Sequence, residues 1–412
     1  MKRPLVTVAA WIAALAVVGV VLPLLSYGTR DADSRLYAEI AARMSAEPVS
    51  RWIAPVWPPG WYGTGYFREH PVGAFLAPAA LGAAGYPAAQ AAYLANALWQ
   101  IGSLLLLAAL ARRFASGQEA RALLYLLQLI PLAFTYRVRA NQEQLLLLLL
   151  LLALYATDRV RASGIWAPAV AGACVGLVLV KGMVGLVALP VCLLWLLARS
   201  GEDAPRGSAL RGALALGGAV LAIVVALAAY EALYRGATGE SFLLAYLQRQ
   251  VQPALTRQSE ALLAQKAYNV VWYAGRLLWF PFPWSLALPI AAVAGVRALV
   301  ADARPLARGA AERARPLRGL AFALAVVLLY LGLFSLSDRR ADRYIFPAYF
   351  AVAAAGAVAA LRGGRRGAAL VAWLERLPAW SPAALWLALV VIHLSAGRLL
   401  HLPTIKVWDP SR

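Results

Sequence analysis

Residues Gln144–Ala156 read QLLLLLLLLALYA. Eight consecutive leucines leave no polar face to offer water, whether the period is taken as helical or extended. Two further runs repeat the pattern, Ala167–Val180 (APAVAGACVGLVLV) and Ala219–Ala229 (AVLAIVVALAA). A helical pass through a bilayer needs about 20 mostly apolar residues. Working outward, such runs recur along a chain of 412 residues that is 62% hydrophobic and only 14% charged. Soluble domains carry about 25% charged residues, so the composition excludes a soluble enzyme, a secreted disulfide scaffold and a disordered protein. The net charge of +20 is better spent on orienting membrane helices than on nucleic acid, and no nucleic-acid partner is expected. Cys174 and Cys192 both fall inside apolar runs, where no disulfide is expected.

The expected fold is therefore an all-α integral membrane protein, one transmembrane domain over 1–412 with about eleven helices. The first is the run Val6–Leu25, too long for the apolar core of a signal peptide. The others are expected near 88–111, 118–136, 143–157, 165–181, 183–198, 212–234, 282–300, 319–336, 344–361 and 382–400. Eleven passes put the amino terminus inside and the carboxy terminus outside. Lys and Arg divide almost evenly between the two sides. Many of the outer ones lie in two long segments, 29–87 and 235–281, where the charge rule weakens, and acidic residues make the inner side the more positive. The inner Arg clusters, such as Arg112–Arg113 and Arg362–Arg366, read as topology signals and anionic-lipid contacts.

The outer face carries both long segments and charge right at the helix ends. Ionisable groups near membrane depth are costly unless paired or used, so a site is expected there. From Tyr37 the apolar residues recur at 37, 40, 41 and 44, which reads as an amphipathic helix lying at the interface, with Asp33 just ahead of it. Asp33 is then either an ordinary helix N-cap or a carboxylate able to take a proton from an acceptor hydroxyl, two roles that are compatible. Asp31 lies in the same acidic turn. Further on, Trp57–Trp61 and Tyr66–Gly73 form an aromatic, proline-stiffened loop containing His70. There is no internal repeat, Walker A sequence, dinucleotide fingerprint, nucleophile elbow or metal-spaced Cys/His cluster.

Several motifs then occur in a characteristic order. Asp33 is followed by Tyr37-Ala38-Glu39-Ile40 and Met44, then Tyr66-Phe67 and His70-Pro71, then Gly172, Gly176-Leu177 and Lys181-Gly182. Pro281-Phe282-Pro283-Trp284 comes next, and Phe334-Ser335-Leu336-Ser337 leads to Arg343-Tyr344-Ile345 and Pro347. This order resembles the GT-C glycosyltransferases of the dolichyl-phosphate-mannose:protein mannosyltransferase group (glycosyltransferase family 39-like), in particular the bacterial branch that transfers 4-amino-4-deoxyarabinose to lipid A. The resemblance spans the chain to about residue 361. It implies a GT-C-type polytopic bundle in the cytoplasmic membrane, acting on its outer face. The implied activity is an inverting transfer of a sugar from a polyprenyl-phosphate donor to an envelope lipid, glycan or protein.

By the same resemblance the catalytic Asp is Asp33, followed here by Ser34 where the family usually has Glu. A family Lys that meets the donor phosphate falls at His70, a second basic contact maps onto Lys266, and the family's tyrosine maps onto Tyr344. The family's Lys shortly before that tyrosine is replaced by Arg339, Arg340 and Arg343. A phosphate leaving group gains negative charge as its bond to the anomeric carbon breaks, and the planar fork of Arg suits it. The expected phosphate group is thus His70, Lys266, Arg340, Arg343 and Tyr344, with Asp31, Arg137, Arg139, Glu143 and Lys181 as further candidates. Relatives differ in whether a divalent metal binds, and no ligand spacing here demands one. The expected ligands are the lipid-linked sugar donor and membrane lipids. Glu231, His393 and His401 are assigned structural roles. Two rivals stay open, a polytopic lipid or sugar transporter and an inactive GT-C fold serving in assembly.

Overall fold

A chain crossing lipid must satisfy every backbone N–H and C=O internally, and the helix does this within one segment. The computed structural model obeys that demand, and it describes residues 2–25, 32–114, 117–130, 139–199, 207–252, 262–287, 289, 293, 308–337, 340–362 and 364–399. Among these the helices are α1 (Lys2–Leu25), α2 (Ala32–Ala46), α3 (Gly73–Ala83), α4 (Ala88–Ala111), α5 (Gly117–Leu126) and α6 (Glu143–Val160). There follow α7 (Ala167–Lys181), α8 (Ala188–Ala198), α9 (Ser208–Thr238), α10 (Phe242–Tyr246) and α11 (Leu262–Trp279). The last four are α12 (Arg308–Ser335), α13 (Phe346–Leu361), α14 (Gly364–Arg376) and α15 (Ser381–Leu399).

The all-α polytopic bundle expected from sequence is the architecture observed among the described residues. Among the described residues, five helical segments are long and apolar enough to cross a membrane: Ala88–Ala111, Gly164–Ala198, Ser208–Thr238, Arg318–Ser335 and Asp342–Leu361. Leu5–Val20, Gly73–Ala83 and Ser381–Ile392 are shorter apolar helices. The helix expected over 118–136 ends at Leu126, and most of the span expected at 282–300 lies outside the described residues.

The 35-residue apolar segment Gly164–Ala198 is two antiparallel helices, and ion pairs to α6 show it. Lys181, closing α7, bonds Glu143 at the start of α6, while Arg199, just past α8, pairs with Asp158 near its end. Those partners are 15 residues apart, about 22 Å along a helix, so the chain must reverse between Lys181 and Ala188. It does so in the 3₁₀ turn Gly182–Val187, entered by Gly182 at φ +59°. A side chain there would be strained by that φ and would also meet the Tyr246 hydroxyl.

One end of the bundle carries Asp33, Glu143, Lys181 and Arg343. At the opposite end Asp158 is shared by Arg113 (2.5 Å) and Arg199 (3.3 Å). There Arg161 donates to the Arg199 carbonyl (2.7 Å) and Arg211 donates to the Arg161 carbonyl (2.6 Å). The chain thus ties α4, α6, α8 and α9 together through buried charge that is paired, as burial requires.

One expectation changes in the first long segment. The helix α2 begins at Ala32, so Asp33 lies in its first turn rather than ahead of it. The apolar face expected from the spacing is the one that packs: Leu36, Tyr37, Ile40, Ala41 and Met44 are buried, against α3 and α4. The loop that follows is a folded aromatic cluster. Trp57 meets Phe67 (5.0 Å between centroids), Phe67 meets Phe75 (5.4 Å) and Tyr37 meets Phe75 (5.6 Å). The second long segment is also mostly helix, with α9 running to Thr238 and α11 from Leu262.

Candidate functional site

The site is assembled by four elements that converge at one end of the bundle. The helix α2 presents Asp33, whose carboxylate forms an ion pair with the Arg343 guanidinium, each side chain about one-third exposed. Arg343 lies on a short 3₁₀ turn, Asp342–Ile345, leading into α13. The Tyr349 hydroxyl donates to the Asp342 carbonyl (3.1 Å), and the Tyr273 hydroxyl accepts from the Ala341 N–H (3.4 Å). Tyr344 stacks on Phe334 (5.7 Å, 27°), which stacks on Tyr330 (5.8 Å, 27°), so the ring is fixed by α12.

Beside this pair lies a second one, almost wholly buried. Lys181 Nζ donates to Glu143 Oε1 at 3.0 Å, with the two side chains 5% and 2% exposed. Such burial is tolerable only because each charge meets its opposite. Between the two pairs is a cavity of about 20 Å³ lined by Glu143, Lys181, Tyr330, Arg343, Tyr344 and apolar residues of α6–α8 and α13. Among the described residues, Glu143 Oε2 and Arg343 Nε are buried without a hydrogen-bond partner. A polar atom left so is costly unless a ligand or water completes it. The volume is room for about one water, so a larger ligand enters only if the lining moves. Leu150 and Pro347 also line an adjoining apolar cavity of about 100 Å³, which runs between α4, α6, α8, α12 and α13.

Ser34, where the resemblance expects Glu, is fully buried. Its hydroxyl donates to Asn141 Oδ1 and accepts the Ala140 N–H (3.1 Å). That docks the turn preceding α6 onto α2, and so places Glu143 relative to Asp33.

His70 sits against Tyr37 (6.3 Å) and Phe67 (6.2 Å). Burial, reinforced by the nearby Lys181 charge, holds its pKa well below the usual histidine value. It is therefore neutral at pH 7 and brings hydrogen bonding rather than positive charge to this region.

Among the described residues, three other sequence-derived candidates, Lys266, Arg340 and Arg139, do not line this cavity. Lys266 Nζ donates to the Leu336 carbonyl (2.6 Å), and Asn269 donates to those of Ser335 and Ser337 (3.1 and 2.8 Å), so α11 caps the end of α12. Arg340 lies over the Tyr268 ring (4.6 Å) at the surface. Arg139 is half-buried in the turn that Ser34 docks. Asp31, Arg137, Arg339, His401 and the His393 side chain lie outside the described residues. Glu231 has the structural role expected, accepting from Arg235 (2.7 Å) and the Leu243 N–H (2.9 Å).

Tyr246 escaped the sequence reading. From α10 it reaches the reversal at Gly182, where its hydroxyl accepts the Met183 N–H at 3.1 Å. No local signal marks it, because its partner is created only by the turn. Among the described residues no group of three or more His, Cys, Asp or Glu is placed to hold a metal ion.

Residues 69–230 match the family model for dolichyl-phosphate-mannose-protein mannosyltransferase. That stretch contains His70, Glu143 and Lys181 but neither Asp33 nor Arg343. No curated protein matches the chain. Among solved structures the chain is similar to ArnT from Cupriavidus metallidurans bound to undecaprenyl phosphate, with a TM-score of 0.62, 18% identity, and 98% of this chain aligned to 77% of that one. It is equally similar to the same protein in the apo state, with a TM-score of 0.62, 19% identity, and coverage of 97% and 78%. The resemblance drawn from the ordered motifs to GT-C glycosyltransferases of this group is thus met by a family model and by a shared fold.

Proposed function

We propose that this chain is a membrane glycosyltransferase that moves a sugar from a polyprenyl-phosphate donor to an envelope acceptor, by inversion, on the outer face of the cytoplasmic membrane. The observation that carries the reading is the Asp33 carboxylate paired with Arg343, which itself lines a cavity together with Lys181, Glu143 and Tyr344. The ArnT structure with undecaprenyl phosphate supports a lipid-linked donor. The adjoining apolar cavity is chemically matched to prenyl carbon and, at about 100 Å³, has room for only a short piece of such a chain.

In the proposed reaction Asp33 takes the proton of an acceptor hydroxyl. The acceptor oxygen then attacks the anomeric carbon from the side opposite the phosphate. The bond from that carbon to the phosphate oxygen breaks, and the electron pair stays on the phosphate. Arg343 and the Tyr344 hydroxyl stabilise the charge that develops there, with the neutral His70 as a further hydrogen-bond donor. Arg343 cannot serve phosphate and Asp33 at full strength together. Donor binding would draw it toward phosphate, widen the cavity and leave Asp33 a stronger base.

The test is transfer of radiolabelled sugar from a polyprenyl-phosphate donor by the purified chain, with envelope lipids, glycans and proteins offered as acceptors. Labelled acceptor with inverted anomeric configuration, absent with Asp33→Asn, is expected. Lack of both donor binding and transfer in the wild type would refute the reading, and sugar movement across vesicles without bond breakage would favour a transporter.

A further inference from the structure

The helix α14, GRRGAALVAWLER over Gly364–Arg376, takes no part in the site; the sequence offers Arg365 and Arg366 as lipid contacts but not the helix that carries them. We infer that it is a membrane-surface helix whose exposed side binds anionic phospholipid headgroups at the end of the bundle opposite the site.

Its buried positions are Gly367, Val371 and Leu374, spaced four and three residues apart, so one narrow seam packs on α5 and α13. Gly367 rests on the Leu361 carbonyl, where a Cβ would collide. Arg121 of α5 donates to the carbonyls of Glu375 (3.1 Å), Leu377 (2.6 Å) and Pro378 (3.0 Å), capping the far end. The helix is thus pinned at both ends. It follows α13 at Leu361 and precedes α15 at Ser381, two apolar helices that run through the bundle. Thr7, near the start of α1, donates to the Ala379 carbonyl (3.3 Å) beside it. A segment placed where three apolar helices meet the same end lies along the bilayer boundary.

At 100° per residue, Leu370, Trp373 and Leu377 follow one flank of the seam with Arg366 among them, and Arg365, Ala369, Ala372 and Arg376 stand opposite it. Trp373 is 57% and Trp380 51% exposed, and all three arginines are exposed. A tryptophan beside a flank of leucine, bordered by arginine, is the composition of an interfacial helix. The only charges on the exposed side of α14 are cationic, apart from the half-buried Glu375, and this complements anionic lipid rather than zwitterionic lipid.

The experiment uses the full chain in nanodiscs of phosphatidylcholine, alone or mixed in equal parts with phosphatidylglycerol. Native mass spectrometry would count the phosphatidylglycerol retained. Replacing Arg365, Arg366 and Arg376 by Gln should reduce its retention relative to phosphatidylcholine at least about fivefold, the factor that losing one cation at an anionic surface corresponds to. A spin label on Trp373→Cys should be shielded from a water-soluble relaxation agent, and one on Ala369→Cys should sit at headgroup depth. Labels equally open to water, or retention untouched by the three substitutions, would overturn the inference. So would shielding that appears only when two copies share a disc.

Discussion

The Arg343 guanidinium is bound to the Asp33 carboxylate, bringing the turn before α13 onto the first turn of α2. One cation therefore stands between the candidate base and the cavity beneath it. In the proposed reaction, a phosphate entering that cavity would compete with Asp33 for Arg343.

Asp33→Asn is expected to abolish transfer, by about 10²–10⁴-fold if the group acts as a general base, yet to bind undecaprenyl phosphate at least as tightly as the wild type. Arg343→Ala should weaken that binding and transfer together. Lipid binding by native mass spectrometry beside a transfer assay separates the two. Weaker lipid binding in Asp33→Asn would contradict the competition. Because the pair is part-exposed, neither change should cost more than about 1 kcal/mol of stability.

Lys181→Met should be strongly destabilising, by about 3–5 kcal/mol, since it strands the Glu143 carboxylate in a buried wall. The double variant Glu143→Gln/Lys181→Met should recover a large part of that loss. Thermal unfolding in detergent measures the cycle, and additive losses would mean that the two groups are not coupled.

Ser34→Ala removes the bond to Asn141 and leaves the Ala140 N–H unpaired in a buried turn, an expected cost of about 1–3 kcal/mol. Transfer rate at saturating donor should fall while donor affinity changes little, because what is lost is the placement of α6 relative to Asp33. An unchanged rate would remove Ser34 from the positioning of the site.

His70 gives a pH signature. The unfolded chain binds a proton at this residue near pH 6.5, whereas the folded chain, with its depressed pKa, resists protonation until well below that. Between those two values the unfolded state holds more protons, so stability falls as pH falls through and below about 6.5. Unfolding temperatures from neutral to mildly acidic pH should drop less for His70→Gln than for the wild type.

Much of the site was legible because its residues stand in ordered motifs at helix ends, as Asp33, Arg343 and Tyr344 do. Lys266 and Arg340 belong to equally basic stretches, yet their contacts here lie away from the cavity, one on the Leu336 carbonyl and the other on the Tyr268 ring. A long basic side chain reaches several directions from one backbone position, and only its neighbours decide which it takes. Ser34 was read as a missing Glu, since nothing local announces that Asn141 will be its partner.

By itself, the sequence determined that this chain is helical and lives in lipid, because eight adjacent leucines and their like cannot be hydrated in any conformation. It also marked the end of the bundle where charge gathers, since ionisable groups avoid hydrocarbon unless something repays the cost. Only the tertiary structure decided that Asp33 answers to Arg343, that Lys181 is matched to Glu143, and that Gly182 turns one apolar segment into two antiparallel helices. Those are contacts between segments far apart in the chain, and they depend on how helices pack, which hydropathy along a single segment does not encode.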